Sequence, residues 1–191
     1  MKESLDYYSQ HFSPYPYQQI CIMEYPRYRE FAQSFPSTVP FSEAIGFVLD
    51  IEDEKAVDIP FFITAHELAH QWWGNRITCK NWNHFWLNEG FATFMSAAYN
   101  EHRFGKEKYQ QDIDSYANVY RKIKAKGGNK SLVFNNWNNP SGDDRNLVYF
   151  KGAYVLHLLR EELGNESFWE AVKYFSQTYY GKSVTTKDFQ L

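Results

Sequence analysis

The sequence predicts an α+β chain that is mostly α, with a small N-terminal β portion ahead of a helical bundle. Three observations predict it. Apolar residues recur at helical spacing in successive segments over most of the chain. Two short runs near the N-terminus alternate apolar and polar residues at strand spacing instead. Glycine- or proline-bearing breaks separate the segments, and no internal repeat or low-complexity tract appears. At 191 residues the chain is long enough for one domain with a real core, spanning 1–191.

Residues 3–12 read as a short helix with Leu5, Tyr8 and Phe12 on one side, ended by Ser13-Pro14-Tyr15-Pro16. Gln18 to Glu24 reads as a strand, Ile20 and Ile22 alternating with Gln19, Cys21 and Met23, and Pro26 stops it. Thr38 to Asp50 is a second strand candidate carrying Val39, Phe41, Ile45, Phe47 and Val48, with Pro40 marking an edge or an entry point. The acidic run 51–58 reads as a loop. Asp58 is placed to cap the following helix, with Pro60 at a tolerated early position. That helix runs to about Trp73, with Phe62, His66, Ala69, His70 and Trp73 in one stripe and Gly74 as its stop.

A second helix, Trp86 to Tyr99, turns Leu87, Phe91, Phe94, Met95 and Ala98 to the core, and Phe104-Gly105 breaks the pattern. Lys106 to Lys126 is a polar helix with Tyr109, Ile113, Tyr116, Tyr120 and Ile123 on one side, closed by Gly127-Gly128. Residues 129–146 are rich in Asn, Gly, Asp and Pro and read as a loop. Helices follow over Asn146 to Leu163 and Ser167 to Tyr180, separated by Gly164-Asn165, and Thr185 to Phe189 has the pattern of one more helix start.

Composition narrows the function classes. A net charge of −3 gives no electrostatic basis for binding nucleic acid. Aromatics make up 19% of the chain, which suits an aromatic-lined cleft as well as a plain aromatic core. Cys21 and Cys79 could pair or stay free, and two cysteines set no disulfide framework. No apolar stretch is long enough to span a membrane, and the polar start gives no expectation of a secretory signal. The Asn-x-Ser triplets at Asn129 and Asn165 are read as chance.

The chemistry concentrates in His66-Glu67-Leu68-Ala69-His70. On a helix, His66 and His70 lie one turn apart on one face, where two imidazoles can bind a single metal ion. Glu67 stands about 100° round the helix, too far to join that pair but within reach of a metal-held water. This is the H-E-x-x-H arrangement of zinc peptidases, two ligands and a general base. A catalytic zinc site needs a third protein ligand and an open position. Glu89 is the best candidate: eighteen residues separate it from His70, and it lies on the second helix. Gly74-Asn75 and the polar run Thr78 to Asn83 give room for the turn between the helices. A buried helix with hydrogen-bonded core histidines would carry the same five letters, so the weight of the reading rests on Glu89.

HELAHQWWGN followed by WLNEGFA resembles the M1 family of zinc aminopeptidases, gluzincins with H-E-x-x-H-x18-E. The resemblance implies a thermolysin-like catalytic domain and one Zn2+ ion held by His66, His70 and Glu89, with Glu67 as the base that activates water. Tyr149 sits in a Tyr-x-Lys-Gly setting similar to the family's, which implies a hydrogen bond from its phenol to the oxyanion. Glu43, 23 residues before His66, lies close to where the family carries the glutamate that grips the substrate's free amino terminus. Pro40-Phe41-Ser42-Glu43-Ala44 departs from the family's Gly-x-Met-Glu-Asn there.

The activity implied is removal of N-terminal residues from a peptide substrate. A zinc endopeptidase, or a peptide-binding module short of parts needed for turnover, are the alternatives. The resemblance leaves out the family's N-terminal β domain and C-terminal helical domain, so a piece of a longer protein is expected. The Pro-Tyr-Pro-Tyr opening and the Phe-Ser-Glu-Ala stretch look similar to bacterial M1 domains fused to transporter-like membrane segments, implying a soluble domain of a membrane-anchored parent. His84, His102 and His157 are read as structural, and Lys151 is given no role.

Overall fold

A computed structural model of the chain describes residues 1–46, 54–135 and 137–190. Helix α1 (Lys2–His11) buries Tyr8, with Phe12 just past its end, as their spacing of four dictates. The Tyr8 hydroxyl donates to the carbonyls of Ala65 (3.1 Å) and Met95 (3.2 Å). Those carbonyls belong to the two helices that carry the metal-binding candidates, so α1 fastens both from behind.

Strand β1 (Cys21–Tyr25) pairs in parallel with β2 (Thr38–Ser42), Ile22 opposite Val39. Between them the chain doubles back along β2. Gln33 N–H donates to the Pro40 carbonyl, and Phe35 and Thr38 exchange both backbone bonds around Ser37, which sits at φ 62°. β2 is shorter than the run 38–50 predicted, because Ser42 Oγ accepts the Ala44 N–H and starts a short helix, α2 (Glu43–Gly46). Phe47 and Val48 lie outside the described residues, as do 51–53 of the expected loop.

Helix α3 (Glu54–Ala69) begins before the predicted Asp58 cap and holds Pro60 in its interior. Past a turn that runs through Gly74 (φ 130°), strand β3 (Thr78–Cys79) pairs in parallel with β4 (Ser183–Val184). Helix α4 (Trp86–Phe104) is the centre of the molecule, with Phe91, Ala92, Phe94 and Met95 all fully buried. It packs against α3, α5 (Lys106–Ala125) and α7 (Gly152–Leu163). Trp73 stacks on Phe91 at 4.1 Å, and Phe175 of α8 (Asn165–Thr178) continues the stack.

Two departures from the sequence reading matter for the site. The end of the expected loop 129–146 is helical: α6 (Gly142–Asn146) is nucleated by a capping box in which Ser141 and Asp144 each accept the other's backbone N–H. A polar Ser-x-x-Asp run looks like loop by composition, but its side chains satisfy helix-start donors. The helix predicted from Asn146 opens as a π turn, Leu147–Lys151, before α7. At the C-terminus, α9 (Thr186–Phe189) has its own capping box from Thr185 and Asp188. His84 and Trp86 both hydrogen-bond Thr186, which docks α9 on the start of α4. His157 shares a hydrogen bond with Tyr109, and Cys21 and Cys79 are free thiols.

Candidate metal centre and cleft

α3 presents His66 near its end, His70 follows one residue past it with its N–H still bonded to the His66 carbonyl, short of the predicted stop at Trp73, and the first turn of α4 presents Glu89. All three are buried. His66 Nε2 lies 3.0 Å from His70 Nε2, and Glu89 Oε2 lies 3.1 Å from the first and 3.2 Å from the second. Ligand atoms about 2.0–2.2 Å from a tetrahedral zinc ion stand roughly 3.3–3.6 Å apart. The observed triangle is close to that size.

The donor set passes a second test. His70 Nδ1–H donates to the Trp73 carbonyl at 2.7 Å, which turns Nε2 to the cluster as the nitrogen a metal would take in place of its proton. The triangle is thus one carboxylate and two imidazole nitrogens, an arrangement suited to a divalent cation. Among the described residues, this is the group of three His, Cys, Asp or Glu side chains able to share a metal.

The electrostatics agree. Burial works against ionisation of Glu89, but the His70 charge and hydrogen bonds from both histidines outweigh it and hold the carboxyl well below its usual range. Burial opposes the charged form of His70 too, and Glu89 overrides it, raising the imidazole to about 9. Glu67 moves the other way: burial raises its carboxyl, and the two histidines only partly offset this. Its Oε2 is buried and has no hydrogen-bond partner among the described residues. A buried carboxylate oxygen without a partner, beside the His66–His70–Glu89 triangle, is placed to accept a proton.

Tyr149, on the π turn, stacks its ring on His66 at 5.6 Å and 7° between planes. Burial first, then the Glu89 carboxylate, push its phenol far above the ordinary range, so it is a neutral donor at any working pH. Its position depends on two glycines. A Cβ on Gly152 would stand 2.9 Å from Gly90 Cα, so the helix ends bearing Tyr149 and Glu89 meet backbone to backbone.

His70, Glu89 and Tyr149 open onto a cleft of about 520 Å³. Gln33 and Ser34 line it, as do Trp82, Phe85 and Trp137, and Arg145 of α6, four residues before Tyr149. The Gln33–Ser34 turn is held by Gln71, which is fully buried. Gln71 Nε2 donates to Ser34 Oγ and the Phe35 carbonyl, and its Oε1 accepts the Ser37 N–H at 3.0 Å.

Glu43 is not brought to this site. It lies in the first turn of α2, its Oε1 accepts the Arg27 N–H at 3.1 Å, and it does not line the cleft. The helix that Ser42 starts carries it off the strand, and the cleft wall comes from the preceding turn instead. Gln33, Ser34 and Arg145 went unnoticed in the sequence. Arg145 had a signal: it stands four residues before Tyr149, on the same helical face once 142–146 is read as helix.

The family model for the peptidase family M1 domain matches residues 1–191. The chain is 30% identical over 195 residues to Aminopeptidase M1-C of Oryza sativa subsp. japonica, covering 97% of this chain and 22% of that protein. It is 27% identical over 201 residues to Probable aminopeptidase 1 of Saccharolobus solfataricus, covering 98% of this chain and 24% of that protein. Its fold is similar to the crystal structure of an M1 zinc metallopeptidase from Deinococcus radiodurans, with a TM-score of 0.75, 23% identity, and coverage of 97% of this chain and 38% of the other. The chain therefore spans about a quarter or less of the curated relatives it matches.

Proposed function

The chain belongs to peptidase family M1, and on that premise we propose that it is a thermolysin-like catalytic domain that hydrolyses peptide bonds with one zinc ion. The observation that carries this is the triangle of His66 Nε2, His70 Nε2 and Glu89 Oε2, with the unpartnered Glu67 carboxylate beside it. His66, His70 and Glu89 would hold the ion. When bound, zinc supplies a Lewis acid that polarises the scissile carbonyl and acidifies water.

Each remaining part belongs to the chain itself. Glu67 takes a proton from the attacking water and delivers it to the departing amine nitrogen. Its burial suits both halves of that cycle, since a raised carboxyl accepts a proton readily and keeps it until the nitrogen needs it. Tyr149 donates its phenolic hydrogen to the carbonyl oxygen as negative charge gathers there. The buried surroundings exclude competing water and strengthen both interactions.

Removal of N-terminal residues is the activity supported by the relatives, which carry aminopeptidase names. One observation favours the endopeptidase alternative: Glu43 lies off the cleft, and the wall in its place, Gln33 and Ser34, is uncharged. The test is a pair of assays on the zinc-loaded chain. Glu67→Gln is expected to keep its zinc and lose at least about a hundredfold in turnover; full activity in that variant would remove Glu67 from the mechanism. Free-amino and N-acetylated versions of one peptide then separate the two activities, an aminopeptidase cleaving only the free form.

A further inference from the structure

The charges around the cleft do not suit a peptide that is neutral throughout. Among its described lining residues, the one carboxylate is Glu89, which is engaged with the two histidines. Gln33, Ser34, Asn75, Asn88 and Asn138 contribute neutral polar groups. The one permanently charged cation is Arg145. It is exposed, and among the described residues no carboxylate pairs with it. Arg160 and Arg103, by contrast, are paired with Glu101 and Glu3. The neighbouring acid Asp144 is taken by Lys130 and the capping box.

From this cleft geometry we infer that Arg145 anchors a carboxylate of the substrate, a C-terminal carboxylate or an acidic side chain close to the scissile bond. This inference rests on the peptidase reading and names the substrate class of that site. Guanidinium is suited to the task, because its planar fork can bond both carboxylate oxygens at once. Arg145 stands four residues before Tyr149, and both line the cleft. A helical turn rises about 5.4 Å, and an extended residue spans about 3.3–3.6 Å. A carboxylate one or two residues beyond the scissile carbonyl therefore falls within reach of the Arg145 side chain.

An aromatic cluster lines the same cleft. Trp82 and Phe85 lie 4.8 Å apart edge to face, Phe85 and Trp137 5.5 Å, and Trp82 is 61% exposed. Such a cluster accepts an apolar or aromatic side chain while Arg145 takes the charge. A short peptide ending in a large apolar residue with a free carboxylate meets both demands.

Binding and turnover should be measured separately. Binding of one short peptide as its C-terminal acid and as its C-terminal amide is measured by calorimetry on the zinc-loaded Glu67→Gln chain. The same pair is then tested with Arg145→Met and Arg145→Lys added, and a second pair places Asp or Asn at that end of an amide-terminated peptide. The acid is expected to bind about tenfold or more tightly than the amide. Arg145→Met should remove the difference and Arg145→Lys should keep part of it. A preference for Asp over Asn in the amidated pair assigns the anchor to side chains instead of the chain terminus. Equal binding of charged and neutral forms in both pairs overturns the assignment. If the preference is present but the wild-type chain cleaves none of these peptides, the peptidase reading fails while the role of Arg145 stands.

Discussion

Gly90 and Gly152 meet without side chains between them. A Cβ on either would stand within 3.0 Å of the other's Cα. This contact sets the spacing between Glu89, one residue before Gly90, and Tyr149, three before Gly152. Glu89 and Tyr149 are therefore held in register by the absence of two methyl groups. Gly152→Ala should push α4 and α7 apart and cost ~1–3 kcal/mol of stability, as overpacking does. Turnover should fall further than zinc affinity, because Tyr149 moves with α7 while His66, His70 and Glu89 do not. Urea unfolding together with kcat and zinc titration checks this; unchanged stability would show that the helices have room to spare.

Tyr149→Phe removes only the phenolic oxygen. If Tyr149 donates to the developing oxyanion, kcat should drop about a hundred- to a thousandfold. Zinc content and the unfolding midpoint should hold. A variant that loses stability but retains its kcat would make Tyr149 a packing residue.

The start of α6 carries a pH dependence with a definite sign. Burial tends to raise the Asp144 carboxyl, but the Lys130 ammonium and the Ser141 bonds outweigh it and lower it below the usual range. A carboxyl depressed on folding contributes stability above its unfolded value and loses it as pH falls through the folded value. Asp144→Asn should therefore be less stable than wild type at pH 7, with the gap closing below about pH 4. Thermal unfolding of both proteins across that range tests it. A gap of constant size would mean the carboxylate charge plays no part. Because α6 leads directly into the π turn, the same variant should also lower kcat.

Metal removal should destabilise the chain. A ligand bound only by the folded state adds about 1.4 kcal/mol for every tenfold excess over its dissociation constant. Zinc added back to chelated protein should raise the unfolding midpoint in wild type and not in Glu89→Ala. An equal shift in both would place the ion elsewhere.

Much of the site was legible in the sequence because it is local. His66, Glu67 and His70 share one helical turn, and the spacing of eighteen from His70 singled out Glu89, which lies across α4 from the apolar stripe and is buried because the helix is covered nearly all round. What stayed hidden was set at a distance or by side-chain capping. Glu43 looked like a strand residue, and Ser42 Oγ turned the chain into α2 one residue earlier. Ser141 and Asp144 looked like loop and formed a capping box, which concealed Arg145. The Gln33–Ser34 wall depends on Gln71, whose partners lie 34 to 37 residues away along the chain. The π turn under Tyr149 has no periodicity signal that five residues could carry.

The most direct test is diffraction from crystals grown with zinc, recorded on both sides of the zinc absorption edge. The expected result is one anomalous peak bonded to His66 Nε2, His70 Nε2 and Glu89 Oε2, with Glu67 outside bonding distance. A peak away from these three atoms, or Glu89 rotated out of contact with it, would contradict the account.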